Sequence, residues 1–167
     1  MKRVKQTNQY KYAHQAVLIS IQPKWCALIT RGDKTIEIRK TKPKMEPPFK
    51  CYIYCSKSPK GWSWMTSPNV RRDGTVIGEF VCSNIEELKS NMLFNAPELY
   101  SQSCMTRGEF FSYADKKTVY LWHISRLRVY STPKLLNEFC VQRAPQSWQY
   151  ITDSWRVKRV EQSETGV

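Results

Sequence analysis

Short apolar runs with period-two alternation, separated by clusters of Pro, Gly, Ser and Lys, dominate this chain and predict strands rather than long helices. AVLISIQ (16–22) is the first strand, broken by Pro23. Lys24 to Thr30 is apolar at Trp25, Ala27, Leu28 and Ile29, and Gly32 follows where a glycine ends a short helix. A charged strand over 34–40 comes next, then the proline loop KPKMEPPFK and a strand in FKCYIYCSK (49–57). TVIGEFVCSNI (75–85) is strongly β-prone, with Gly78 marking a bulge or a close approach of backbone. Within 86–115, MTRGEFFSYA is the best helix candidate and Thr106 its N-cap. TVYLWHISRLRVYS (118–131) is the longest strand, with Trp122 in the core, and a short helix LLNEFC follows Pro133. APQSWQYIT then turns into a last strand. Six strands far apart in sequence and three short helices predict an α+β fold, a small mixed or antiparallel β-barrel capped by helices.

The charged strand raises a question. In GDKTIEIR (32–39) alternation sends Ile36 and Ile38 to one face and Thr35, Glu37 and Arg39 to the other. One face is core, and the other gathers charge. That face is either solvated surface carrying a Glu37–Arg39 ion pair of little energetic consequence, or the wall of a site. In the second case Lys34 at the strand entrance meets a phosphate as a point charge, while Arg39 forks onto a phosphate or a base edge.

Composition narrows the partners. Six Trp and nine Tyr among 167 residues, 41% of them hydrophobic, call for one packed domain rather than a disordered chain. Lys and Arg number 27 against 14 acidic residues, and the resulting charge of +13 favours a polyanion such as nucleic acid or an anionic membrane surface. No apolar run approaches the roughly 20 residues that span a bilayer. MKRVKQTNQYKYAHQ lacks the apolar core of a secretory signal, so a soluble, cytoplasmic protein is expected. The six cysteines are then read as reduced, and Cys51 and Cys55, four apart on one strand face, as buried thiols rather than zinc ligands. No metal or other cofactor is called for.

Several blocks together carry a family resemblance. LISIQPKWCALITRGDKTIEIRK resembles the opening of the ASCH domain, a member of the PUA-like superfamily whose signature GxKxxExR is complete here as Gly32, Lys34, Glu37 and Arg39. VIGEF (76–80), VYLWHISRLRVYS, PKLLNEF and APQSW (144–148) match the pattern and order of a bacterial and phage branch. The resemblance covers 16–152, leaving a flexible basic arm over 1–15 and a polar tail over 153–167. It implies a barrel whose cleft is lined by the GxKxxExR strand and which binds RNA or a nucleotide-like ligand. RNA is favoured over DNA, and a membrane is not the partner.

Candidate ligand-binding residues are Lys24, Trp25, Lys34, Glu37, Arg39, Lys57, Trp62, Trp64 and Trp148. The tryptophans offer stacking platforms, and Trp62 and Trp64 sit in a long loop among Lys57, Lys60, Arg71 and Arg72. The alternative is an enzyme in the same cleft, a ribonuclease or an acylated-nucleoside amidohydrolase, with Lys34 and Glu37 as its catalytic groups. Amidohydrolases resembling this domain place a threonine three residues after the lysine. Glu37 holds that position here, and Thr35, one residue after Lys34, projects to the strand face opposite Lys34. His123 completes an imaginable ribonuclease acid–base set, but it also reads simply as a hydrogen-bonded strand histidine.

Overall fold

The computed structural model describes residues 15–58, 72–89 and 97–153. Its elements are β1 (Gln15–Ile21), α1 (Pro23–Thr30), β2 (Ile36–Arg39), β3 (Phe49–Cys55), β4 (Thr75–Leu88), α2 (Pro97–Ser103), α3 (Arg107–Ala114), β5 (Val119–Lys134), a 3-10 turn (Leu136–Phe139) and β6 (Trp148–Thr152). The strands form one mixed sheet in the order β2-β5-β4-β3-β1-β6. β1 and β3 run parallel and every other pair is antiparallel.

Alternation sorts the core into three clusters. Val17, Ile19 and Ile21 of β1, with Cys51, Ile53 and Cys55 of β3, point to the inside of the curled sheet and meet Ile77, Phe80 and Trp122. Ala16, Leu18 and Tyr52 point the other way, under Phe139 and Val141 of the 3-10 region. Ile36 and Ile38 join Val119 and Leu121 beneath Leu99 of α2 and Phe110 and Ala114 of α3. Strand β2 therefore has no solvated face, and all four of its residues are buried.

The expected barrel is met in its curvature but not in its closure. Among the described residues no ladder joins β2 to β6, the two ends of the sheet. Side chains bridge that seam instead. Arg39 donates to Ser147 Oγ at 3.4 Å, Trp148 Nε1 to Thr41 Oγ1 at 2.9 Å, and the Lys44 amide to the Tyr150 hydroxyl at 2.7 Å.

Two strands outrun their sequence limits because bulges absorb the residues that suggested an end. Gly78 pairs with Val129 while Val76 pairs with Lys134, so β5 carries extra residues there and accommodates Pro133. A side chain on Gly78 would stand 2.5 Å from the Arg128 carbonyl oxygen, which is the close backbone approach its place in the sequence suggested. Thr106 caps α3 in a reciprocal box with Glu109, whereas the segment after Pro133 closes as a 3-10 turn rather than an α-helix. All six cysteines are free, and Cys26, Cys51, Cys55 and Cys82 are buried. No helix among the described residues is long and apolar enough to cross a membrane.

Candidate functional site: a cleft at the open seam

The seam between β2 and the β6–β1 edge of the sheet widens into a cleft of about 780 Å³. The turn after α1 places one residue of its lining, Lys34. Gly32, at φ 81, donates its amide to the Ile29 carbonyl, and the Asp33 and Lys34 amides both reach the Leu28 carbonyl. The Thr35 amide bonds to Gln102, and the Thr35 carbonyl accepts from the Ile124 amide, which fixes the chain between α2 and β5. Lys34 is thereby drawn inside, only 2% exposed, and donates from Nζ to the Ser103 carbonyl at 2.8 Å. That carbonyl ends α2, where helix geometry leaves acceptors without an intrahelical partner.

Glu37 stands between two cations. Its Oε2 lies 3.4 Å from Lys34 Nζ and its Oε1 3.1 Å from Arg39 NH2. Arg39 also donates from NH2 to the Ser20 carbonyl, at the point where the β1 ladder runs out. Glu37 and Arg39 are 6% and 8% exposed, so this is a buried triad rather than a surface pair. Among the described residues Arg39 Nε makes no hydrogen bond, and Glu37 Oε2, which makes none either, is held only by the Lys34 ammonium at 3.4 Å.

Cations outnumber anions around the cleft. Among the described residues Lys34, Arg39, Lys40 and Lys57 line it against the one carboxylate of Glu37. Lys40 and Lys57 are exposed and form no ion pair among the described residues. Trp25, Tyr54 and Tyr113 supply aromatic wall, and Ser20, Ser56 and Ser147 supply hydroxyls. The Trp25 ring is already engaged, with Lys24 Nζ 4.3 Å and Lys34 Nζ 4.9 Å from its centroid.

Of the residues singled out from the sequence, Trp25, Lys34, Glu37, Arg39 and Lys57 line the cleft. Lys34 does so as a buried donor to backbone rather than as an open charge at a strand entrance. Lys24 lies outside the lining and pairs with Glu109 at 2.6 Å. Trp148 also lies outside it, packed on the inner core and bonded to Thr41. Trp62 and Trp64 fall outside the described residues. His123 pairs with Ile36 across the β2–β5 ladder, which puts it on the side of the sheet opposite Glu37, and its Nε2 lies 2.6 Å from Glu86. Thr35 is exposed and is not in the lining.

Sequence reading missed the contributions from afar: Ser20, Tyr54, Met105, Tyr113 and the stretch 144–147. Tyr54 and Ser20 sit near the ends of two parallel strands, and the alternation that places them carries no sign that the strands end at a cleft. The APQS run was legible as a turn, but not as the rim of the seam.

The architecture has solved counterparts. The ASCH protein of Zymomonas mobilis superposes with a TM-score of 0.64 at 18% identity, covering 87% of this chain and 94% of that one. A serine-to-alanine mutant of the same protein gives 0.65 at 17% identity, over 88% of this chain and 95% of that one. A tyrosine-to-phenylalanine mutant gives 0.64 at 17%, over 87% and 96%. At such identity the likeness is one of fold, and the chain has the ASCH fold, an α+β architecture. No family model matches the sequence, and no curated protein does.

Proposed function

We propose that this protein is a nucleic-acid-binding module that takes one nucleotide of an RNA strand into the seam cleft. The observation that carries this reading is the buried Lys34–Glu37–Arg39 triad in the lining of a cation-rich cleft, where Arg39 Nε makes no hydrogen bond among the described residues and Glu37 Oε2 is held only by the Lys34 ammonium. A ligand that offers a donor to the carboxylate and an acceptor to the guanidinium completes the set after a small side-chain rotation. A base edge with an exocyclic amine, or a ribose 2′-hydroxyl, has that chemistry. Lys40 and Lys57 at the rim suit its phosphate, and Tyr54 and Tyr113 suit its ring, where stacking contributes about 1–3 kcal/mol per base.

Binding is favoured over turnover. Glu37 occupies the position where a hydrolase of this fold would carry a hydroxyl nucleophile, Thr35 is not in the cleft lining, and His123 is engaged with Glu86 on the other side of the sheet. Lys34 is held between the Ser103 carbonyl and Glu37, which suits a positioning group better than a free base. The reading requires no cofactor.

The test is a fluorescence titration of short oligoribonucleotides with the native chain and with Arg39→Lys. The variant keeps the charge but loses the planar fork, and its affinity should fall roughly tenfold, the scale of one charge-assisted hydrogen bond. Equal affinity in the two proteins, with the fold of both verified by circular dichroism, would remove the cleft from the binding site.

A further inference from the structure

Beyond the cleft the chain continues along the seam as a ledge of alternate lysines, Lys40, Lys42 and Lys44, all exposed. The ledge is built rather than loose. Thr41 is tied to β6 through Trp148 Nε1, and the Lys44 amide is tied to the Tyr150 hydroxyl. Pro43 and Met45 between and beyond the lysines are buried, which holds the backbone against the sheet. Two of the ammonium groups rest over aromatic rings, Lys40 over Tyr113 at 5.2 Å and Lys42 over Tyr120 at 5.5 Å, so their stems are positioned while their charges stay open to solvent. Lys40, Lys42 and Lys44 form no ion pair among the described residues, in contrast to Lys24, Arg31 and Lys50.

We propose that the Lys40–Lys44 ledge carries the phosphates of the strand that leaves the cleft, so that the protein's ligand is a single-stranded oligonucleotide of at least three nucleotides rather than a free nucleotide. The inference rests on the cleft being the nucleotide site. It adds a second contact surface, a length requirement and a preference for unpaired strand. The preference follows from the cleft, which admits a base only when that base is unstacked. The length requirement follows from continuity, because Lys40 and Thr41 belong to the cleft rim while Lys42 and Lys44 lie outside the lining.

The experiment titrates the 167-residue chain with mixed-sequence oligoribonucleotides of one, two, four and eight nucleotides, the matching oligodeoxynucleotides, and an eight-base-pair duplex. The proteins are the native chain, Lys42→Gln/Lys44→Gln, and Arg126→Gln/Arg128→Gln, which removes the same charge from exposed positions in the far half of β5. For the native protein, affinity should climb from one to four nucleotides and level off. Each phosphate contact gives a slope of about −0.7 in log K against log salt, which is roughly fivefold in affinity at 0.1 M. The ledge variant should therefore lose roughly 25-fold on the tetramer and about 1.4 of the slope, while its affinity for the mononucleotide is unchanged. The β5 variant should lose much less. Native affinity that does not depend on length, or equal losses in the two variants, would overturn the ledge while leaving the cleft reading standing. Duplex binding as tight as single-strand binding would overturn the preference for unpaired strand. Failure of the native protein to bind any of the oligonucleotides would overturn both readings, and equal affinity for the two sugars would assign the ledge to the shared phosphodiester.

Discussion

Replacing Glu37 by Gln is the sharpest single perturbation of the buried triad. The amide keeps an acceptor and nearly the same shape, so packing is preserved, but Lys34 at 3.4 Å and Arg39 at 3.1 Å lose the carboxylate that pairs with both of them. With Lys34 2% exposed and Arg39 8% exposed, water cannot take over that role. Breaking a buried ion pair from one side costs about 3–5 kcal/mol, and the retained acceptor places this substitution near the lower end, about 3 kcal/mol. A loss of that size moves a urea midpoint by roughly 1–3 M for an m-value of 1–3 kcal/mol/M. It also lowers the melting temperature by roughly 6–12 °C in a chain of this length. Urea unfolding at pH 7 reads it directly. Adding Lys34→Met to Glu37→Gln should recover part of the loss, with a coupling of about 1–3 kcal/mol. Recovery stays incomplete because the Ser103 carbonyl then loses its donor. A change below about 0.5 kcal/mol in the single variant, the scale of an exposed pair, would refute the buried triad.

Three further outcomes test the scaffold. Gly78→Ala forces a methyl to within 2.5 Å of the Arg128 carbonyl oxygen and 3.2 Å of Val129 Cα, so it should destabilise by about 1–3 kcal/mol. Gly108→Ala in α3 meets nothing within 4 Å and should be neutral or stabilising; similar melting temperatures for the two variants would contradict the bulge geometry. The Lys24 ammonium, with the Thr106 amide and hydroxyl, holds the Glu109 carboxyl down at about 2 from an ordinary 4.5. Its stabilising contribution is therefore complete above pH 4.5 and lost as pH falls toward 2, and Glu109→Gln should flatten that acid limb by well under 1 kcal/mol because the pair is exposed. An unchanged acid limb would mean the cap does not hold in solution. Maleimide at pH 7.5 should label Cys140 first and Cys104 next. Cys26, Cys51, Cys55 and Cys82 should stay protected, since burial excludes the reagent and pushes the Cys82 thiol up to about 12; labelling of all six at one rate in the native protein would contradict the core.

Much of this fold was legible in the sequence. The period-two runs located the strands, and Thr106 as an N-cap located the start of α3, because both signals are local. Gly78 announced the β4–β5 approach for the same reason. Strand ends at Leu88 and Lys134 were not legible, since bulges that depend on a partner strand decide where pairing stops. The site divides the same way. GDKTIEIR gave the sequence of the charged face, but the burial of that face depends on Ser20, Ser103 and Ser147, each brought in from a distant element. Local alternation could not distinguish a wet ion pair from a dry triad. The choice rests on what lies across the seam, and so does the placing of Lys24 and Trp148 outside the cleft.

The most direct test of the central reading is a backbone and indole NMR titration of the native chain with a mixed-sequence RNA tetranucleotide at 0.1 M salt. Perturbations should concentrate on Trp25, on 34–44, on Tyr54 to Lys57 and on 144–147, on both sides of the seam and along its ledge. Perturbations scattered over the exposed face of β5, from Arg126 to Ser131, with the seam residues unmoved, would contradict the cleft as the binding site and leave the positive charge as an unspecific surface.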